Sequence, residues 1–240
     1  MKRPVFVEGN LYHVYNRGTD KRNIFLDEED YLRGIHDLWE FNDENPAANS
    51  YYKLPISASN EVGLRKMATV RPVKAERLPR KLLVKIHAFV LMKNHFHLLI
   101  EPLVPHGLTE FMRKFGTGYT NYFNQKYKRS GVLFQGRFKA VPITDEAHFI
   151  HLPYYIHCNP LDYHDVGWRD RKLKSVKSAM EFLENYRWSS FSDYIGRKNF
   201  PSVIHRDFLK KFLGLSDWRS AMKNWLEAFE VEGMDGYLLE

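Results

Sequence analysis

The chain has a single cysteine, Cys158, in 240 residues. No intramolecular disulfide can form and no cysteine-based zinc site can be built. That usage suits a reducing compartment. No apolar run approaches the roughly 20 residues that a membrane-spanning helix requires. The opening MKRPVFVEGNLYHVYNRG carries Lys2 and Arg3 but no apolar core of the secretory type. Internal repeats and low-complexity tracts are also missing. Together these absences lead us to expect a soluble, cytoplasmic protein with no membrane partner.

What is present is an ordinary folded composition, 44% hydrophobic and 15% aromatic, which argues against wholesale disorder. The length suits one sizeable domain plus a small appendage. The formal net charge is +7 and the pI near 9.3. A basic balance favours polyanionic partners such as nucleic acid, although charge alone does not select one.

Residues 10–18, NLYHVYNRG, alternate like a strand and end in a turn-like Arg-Gly. Residues 27–45 open on acids and space Tyr31, Leu32, Ile35, Leu38 and Trp39 as an amphipathic helix does. Residues 46–80 contain four prolines and the basic residues Arg65, Lys66, Arg71, Lys74, Arg77 and Arg80, and read as an insertion, partly loop. LLVKIHAFVLM and HFHLLIEP flank Lys93-Asn94 as a β-hairpin. Residues 108–131 read as a helix that could loosen at Gly116 and Gly118, and residues 139–143 as a strand. Asp145 is placed to cap a helix that must end by Asn159-Pro160. The order β-α-(insertion)-β-β-α-β-α predicts an α+β fold: a ferredoxin-like antiparallel sheet with packed helices. We place this catalytic domain at 1–168. A C-terminal helical accessory region follows at 169–240.

The stretch LMKNHFHLLIEP sets His95 and His97 two apart, on one face of a strand. Burying two imidazoles side by side is costly unless each finds a partner. A shared metal would satisfy both, and so would two separate hydrogen bonds; the spacing alone leaves both readings open. Tyr155 and Asn159 are i and i+4 in the following helix and so share a face. Taken with the histidines they suit phosphoryl chemistry. A divalent ion on His95, His97 and Asn159 could polarise a phosphate oxygen while Tyr155 attacks phosphorus. A phenol of pKa about 10 needs help from a base, a cation or a metal-bound water.

The ordered blocks VLMKNHFHLLIEP, YTNYFNQKYKRSGVLFQGRFKAVPI, YYIHCNP and YRWSSFSDYIG resemble the IS200-like Y1 transposases, nearest the REP-associated tyrosine transposase branch. YHVYNRG resembles that family's first strand. The resemblance implies that His95 and His97 are metal ligands, that Tyr155 is the nucleophile and that Asn159 supplies the third ligand. It also implies Mg²⁺ or Mn²⁺ as cofactor and cleavage of single-stranded DNA. The cut would leave a 5′-phosphotyrosine and a 3′-OH, and hairpin or palindromic DNA would be the partner. The protein would act as a monomer or a homodimer.

Arg137 and Lys139 in QGRFKA, with Arg113 and Lys114 on the preceding helix, are the expected DNA contacts. For Arg137 a salt bridge to an acid such as Glu101 is the competing reading. Tyr119, Tyr122, Phe123 and Tyr127 either pack a core or stack bases. The chain departs from the family pattern at Pro153, two residues before Tyr155, so that either the helix starts late or Tyr155 is presented differently, and in LDYHDVGW after the Asn-Pro. Tyr154 is the fallback nucleophile. The leading expectation is a metal-dependent single-stranded DNA nicking and strand-transfer enzyme of the transposase type. The alternatives are a DNA-hairpin-binding protein on the same scaffold with catalysis lost or minor, and another metal-dependent phosphodiesterase or initiator-type nickase.

Overall fold

The computed structural model describes residues 5–47, 79–214 and 217–228. The expected insertion at 46–80, with Arg65, Lys66, Arg71, Lys74 and Arg77, lies outside these except at its ends. Four strands form one antiparallel sheet in the order β2-β3-β1-β4: β1 (Tyr12–Arg17), β2 (Val84–Met92), β3 (His95–Pro102) and β4 (Lys139–Pro142). With α1 (Glu28–Glu40) between β1 and β2, and α2 (Gly107–Lys126) between β3 and β4, this is the expected ferredoxin-like βαββαβ arrangement. The β2–β3 hairpin turns at Lys93-Asn94, with Met92 opposite His95.

Alternation along β3 divides the two faces. Phe96 meets Phe115 of α2 edge-on, with ring centroids 5.3 Å apart. His97 turns the other way, towards Tyr155 of α3 (Glu146–Cys158). So α1 and α2 cover one face and α3 covers the other. The early acids of α1 explain how it docks. Its cap, Asp27, accepts from Asp30 N, and Lys126 Nζ at the end of α2 binds Asp27 and Asp30 at 2.7 and 2.8 Å. Tyr122 and Tyr127 donate to Asp30, while Tyr119 and Phe123 are buried, so this aromatic run packs core. α2 runs unbroken through both glycines. A Cβ on Gly118 would stand 2.3 Å from the Phe41 ring, so the glycine is what lets α1 and α2 approach there.

Beyond α3 come α4 (Val176–Asn185), α5 (Phe191–Tyr194), α6 (Asp207–Phe212) and α7 (Trp218–Ala228). This region covers the outer edge of β2, whose backbone groups would otherwise lack partners. Leu91 N donates to Trp188 O, Ser190 N to Phe89 O and His205 N to Ile86 O, at 2.8–3.0 Å. Its apolar side chains join the same buried core as the sheet. No helix among the described residues is long and apolar enough to cross a membrane.

Candidate active site

The site lies between β1, β3 and α3. Asp145 caps α3 as expected, accepting from His148 N at 2.7 Å. The helix runs on through Pro153 and ends at Cys158. It therefore does not start late. Pro153 forgoes one backbone hydrogen bond, yet Tyr155 still arrives over the sheet. Its ring lies 5.7 Å from that of His97 and 6.2 Å from that of His13, both edge-on. Tyr154 points the other way, stacked 5.4 Å from both Trp218 and Trp225, and is committed to the core.

His95 and His97 share a face, their ring centroids 5.0 Å apart. In each ring Nδ1 is engaged: His95 with Asn94 Oδ1 at 2.6 Å, His97 with His13 Nε2 at 2.9 Å. His97 Nε2 is buried with no hydrogen-bond partner among the described residues. The tautomer that exposes its lone pair has His97 Nδ1–H donating to His13 Nε2, the usual way an outer partner orients a ligating imidazole. Burial drives His97 well below its ordinary pKa, helped by His13, His95 and Arg169. Burial, then His148, holds His13 at about 3. Both rings are therefore neutral at physiological pH, the form that ligates metals.

Asn159, fully buried, donates through Nδ2 to the Tyr155 carbonyl at 2.8 Å. Among the described residues no three His, Cys, Asp or Glu side chains converge to hold an ion. The carboxamide oxygen of Asn159 is a neutral donor that could join the two histidines on such an ion. The donor set suits a borderline or hard divalent ion.

Three residues at the site were not singled out from the sequence. His13 and Tyr15 stand two apart on β1, directly across from β3, and the Tyr15 ring stacks 5.6 Å from His97. Their i, i+2 spacing in YHVYNRG was the available signal. The third is Arg169. Its Nη1 donates to Tyr155 Oη at 3.4 Å and its Nη2 to Asn159 Oδ1 at 3.2 Å.

The four expected DNA contacts divide. Lys139 pairs opposite Tyr15, and its Nζ lies 5.7 Å from that ring, on the histidine side of the sheet. Arg137 is exposed and makes no hydrogen bond or ion pair among the described residues; Glu101 instead pairs with Lys85 and His87, each at 2.9 Å. Arg137 and Arg113 both line a cleft of about 700 Å³ between α2 and the opposite sheet face. Arg113 is held by Glu110 in a two-point contact at 2.6 and 2.9 Å. Lys114 is tied to the Asp43 and Asn45 carbonyls.

Residues 73–159 match the family described as "Transposase IS200 like". A comparison with curated proteins finds no match. Among solved structures, one of a REP-associated tyrosine transposase bound to a REP hairpin is similar at 14% identity and a TM-score of 0.47, over 86% of this chain and 92% of that one. The matched stretch contains both strand histidines, Tyr155 and Asn159.

Proposed function

We propose that this chain cuts and rejoins single-stranded DNA through a covalent Tyr155 intermediate, with hairpin or palindromic DNA as its partner. The observation that carries the reading is the edge-on packing of Tyr155 against His97, with Asn159 one helical turn on, inside the family-matched stretch. Tyr155 Oη attacks phosphorus and forms a P–O bond as the bond to the 3′ oxygen breaks. The phenol's proton ends, overall, on that 3′ oxygen. One phosphodiester is exchanged for another, so a 3′-OH can reverse the step and rejoin strands without an outside energy source. His95, His97 and Asn159 would hold Mg²⁺ or Mn²⁺, which supplies Lewis-acid polarisation of a phosphate oxygen. His13 fixes the tautomer of His97. Lys139 and Arg137, at the β4 edge, are the cations we assign to DNA phosphates, since Arg113 and Lys114 already have partners.

The test incubates the protein with Mn²⁺ and an end-labelled hairpin oligonucleotide, then resolves products on a denaturing gel. A protein-linked band that disappears in Tyr155→Phe supports the proposal. No adduct with any hairpin, or an adduct retained by Tyr155→Phe, refutes it. A specific feature favours the alternative of hairpin binding without chemistry: Tyr155 is only 3% exposed. Tight hairpin binding without an adduct would select it.

A further inference from the structure

The segment LDYHDVGWRD, residues 161–170, follows the family-matched stretch. After Asn159 the chain turns through two short 3-10 segments, Asn159–Tyr163 and Val166–Asp170. Gly167 permits the reversal: a Cβ there would lie 2.7 Å from the Lys172 carbonyl. Asp165 secures it by accepting from Gly167 N and Lys174 N. Trp168 is fully buried, its indole N–H donating to Asp162 Oδ1 at 2.6 Å, with its ring 6.3 Å from Tyr155. The fold of this segment thus delivers the next residue, Arg169, to the tyrosine.

Asp162 holds the Arg169 guanidinium at two points, Nε to Oδ1 at 2.9 Å and Nη2 to Oδ2 at 2.8 Å. The planar fork is thereby oriented. Its other edge reaches Tyr155 Oη and Asn159 Oδ1. The side chain keeps 26% of its surface exposed. A phenol that must become a nucleophile, and later a leaving group, passes through a state with negative charge on Oη. A preorganised cation on that oxygen stabilises this state more than the neutral phenol.

We propose that Arg169 is a catalytic residue: fixed by Asp162, its guanidinium donates to the Tyr155 oxygen and stabilises the charge that develops there in strand cleavage and in rejoining. The proposal rests on the function proposed above. It assigns a task to a residue just beyond the family-matched stretch, and it supplies a cation to the phenol oxygen.

The experiment measures the rate of adduct formation on a labelled hairpin oligonucleotide with Mn²⁺, for the wild type, Arg169→Gln, Arg169→Lys, Arg169→Ala and Asp162→Asn. Hairpin affinity is measured in parallel by fluorescence anisotropy without metal. The expected result is a rate about 100- to 1000-fold lower in Arg169→Gln, with affinity within a few fold of wild type. Arg169→Lys and Asp162→Asn should fall between. Added guanidinium ion should restore part of the Arg169→Ala rate, which a merely structural arginine would not show. Wild-type rates in Arg169→Gln overturn this proposal and leave the proposed function standing. So does a slow Arg169→Gln that neither lysine nor guanidinium rescues, because the arginine is then a structural brace. No adduct with the wild type overturns both.

Discussion

His97 Nδ1 and His13 Nε2 lie 2.9 Å apart, buried between neighbouring strands. One ring must donate and the other accept, so the tautomers of His13 and His97 are coupled. Replacing His13 with phenylalanine keeps a ring and removes the partner. We expect the Kd for Mn²⁺, read by titration calorimetry, to rise about 10- to 100-fold, with little change in melting temperature. An unchanged Kd would remove His13 from the site.

The cations at the β4 edge are separable by salt dependence. Taking away one cation that neutralises a phosphate flattens the plot of log K against log salt by about 0.7 for a single strand. Arg137→Ala and Lys139→Ala should each weaken hairpin binding and flatten that slope by about this amount. Arg113→Ala, whose guanidinium is engaged by Glu110, should flatten it less. Equal slopes in all three variants would contradict the assignment.

Acid should destabilise the protein through His87. Burial lowers its pKa below the ordinary 6.5, against the opposing pull of its bonds to the His205 carbonyl and Glu101; Lys85 flanks the same carboxylate and the Phe208 ring packs on the imidazole. With the folded pKa depressed, the unfolded chain binds the extra proton. His87's contribution is therefore complete above about pH 6.5 and is lost as pH falls towards its folded pKa. The loss is at most about 1.4 kcal/mol per pH unit for one proton. Urea midpoints at pH 7.5 and 5 should differ less in His87→Gln than in wild type. Equal differences would refute the point.

Two glycines in one helix should respond in opposite directions. A Cβ on Gly116 meets nothing within 4 Å, whereas one on Gly118 collides with Phe41. Gly116→Ala should stabilise by roughly 0.5–1 kcal/mol through helix propensity. Gly118→Ala should cost about 1–3 kcal/mol through overpacking. Denaturant unfolding measures both, and the same sign for the two would be inconsistent with this packing.

Much of the architecture was legible because local rules act within a few residues. The Lys93-Asn94 turn, the Asp27 and Asp145 caps, and the switch from period two to period 3.6 placed the hairpin and the helices to within a few positions. Pro153 suggested a late helix start, but a capped first turn ahead of it and burial on both sides carry the helix through. Arg137 seemed able to pair with Glu101, yet Glu101 lies on β3 beside Lys85 and His87, which take it first. The aromatic half of α2 could have been stacking surface, and the acids at the start of α1 make it an interior contact instead.

The sequence by itself determined the chemistry on offer. Two imidazoles two apart on a strand must share a face, and a phenol and a carboxamide four apart on a helix must share another, because those periods follow from backbone geometry. Only the tertiary structure decided that the two faces meet, that His13 orients His97, and that Asp162 and Trp168 bring Arg169 back onto the tyrosine. The contacts of His13 with His97 and of Arg169 with Tyr155 join residues 84 and 14 positions apart, and no local period relates them. They follow from sheet order, from a chain reversal at a glycine, and from burial of the surrounding core.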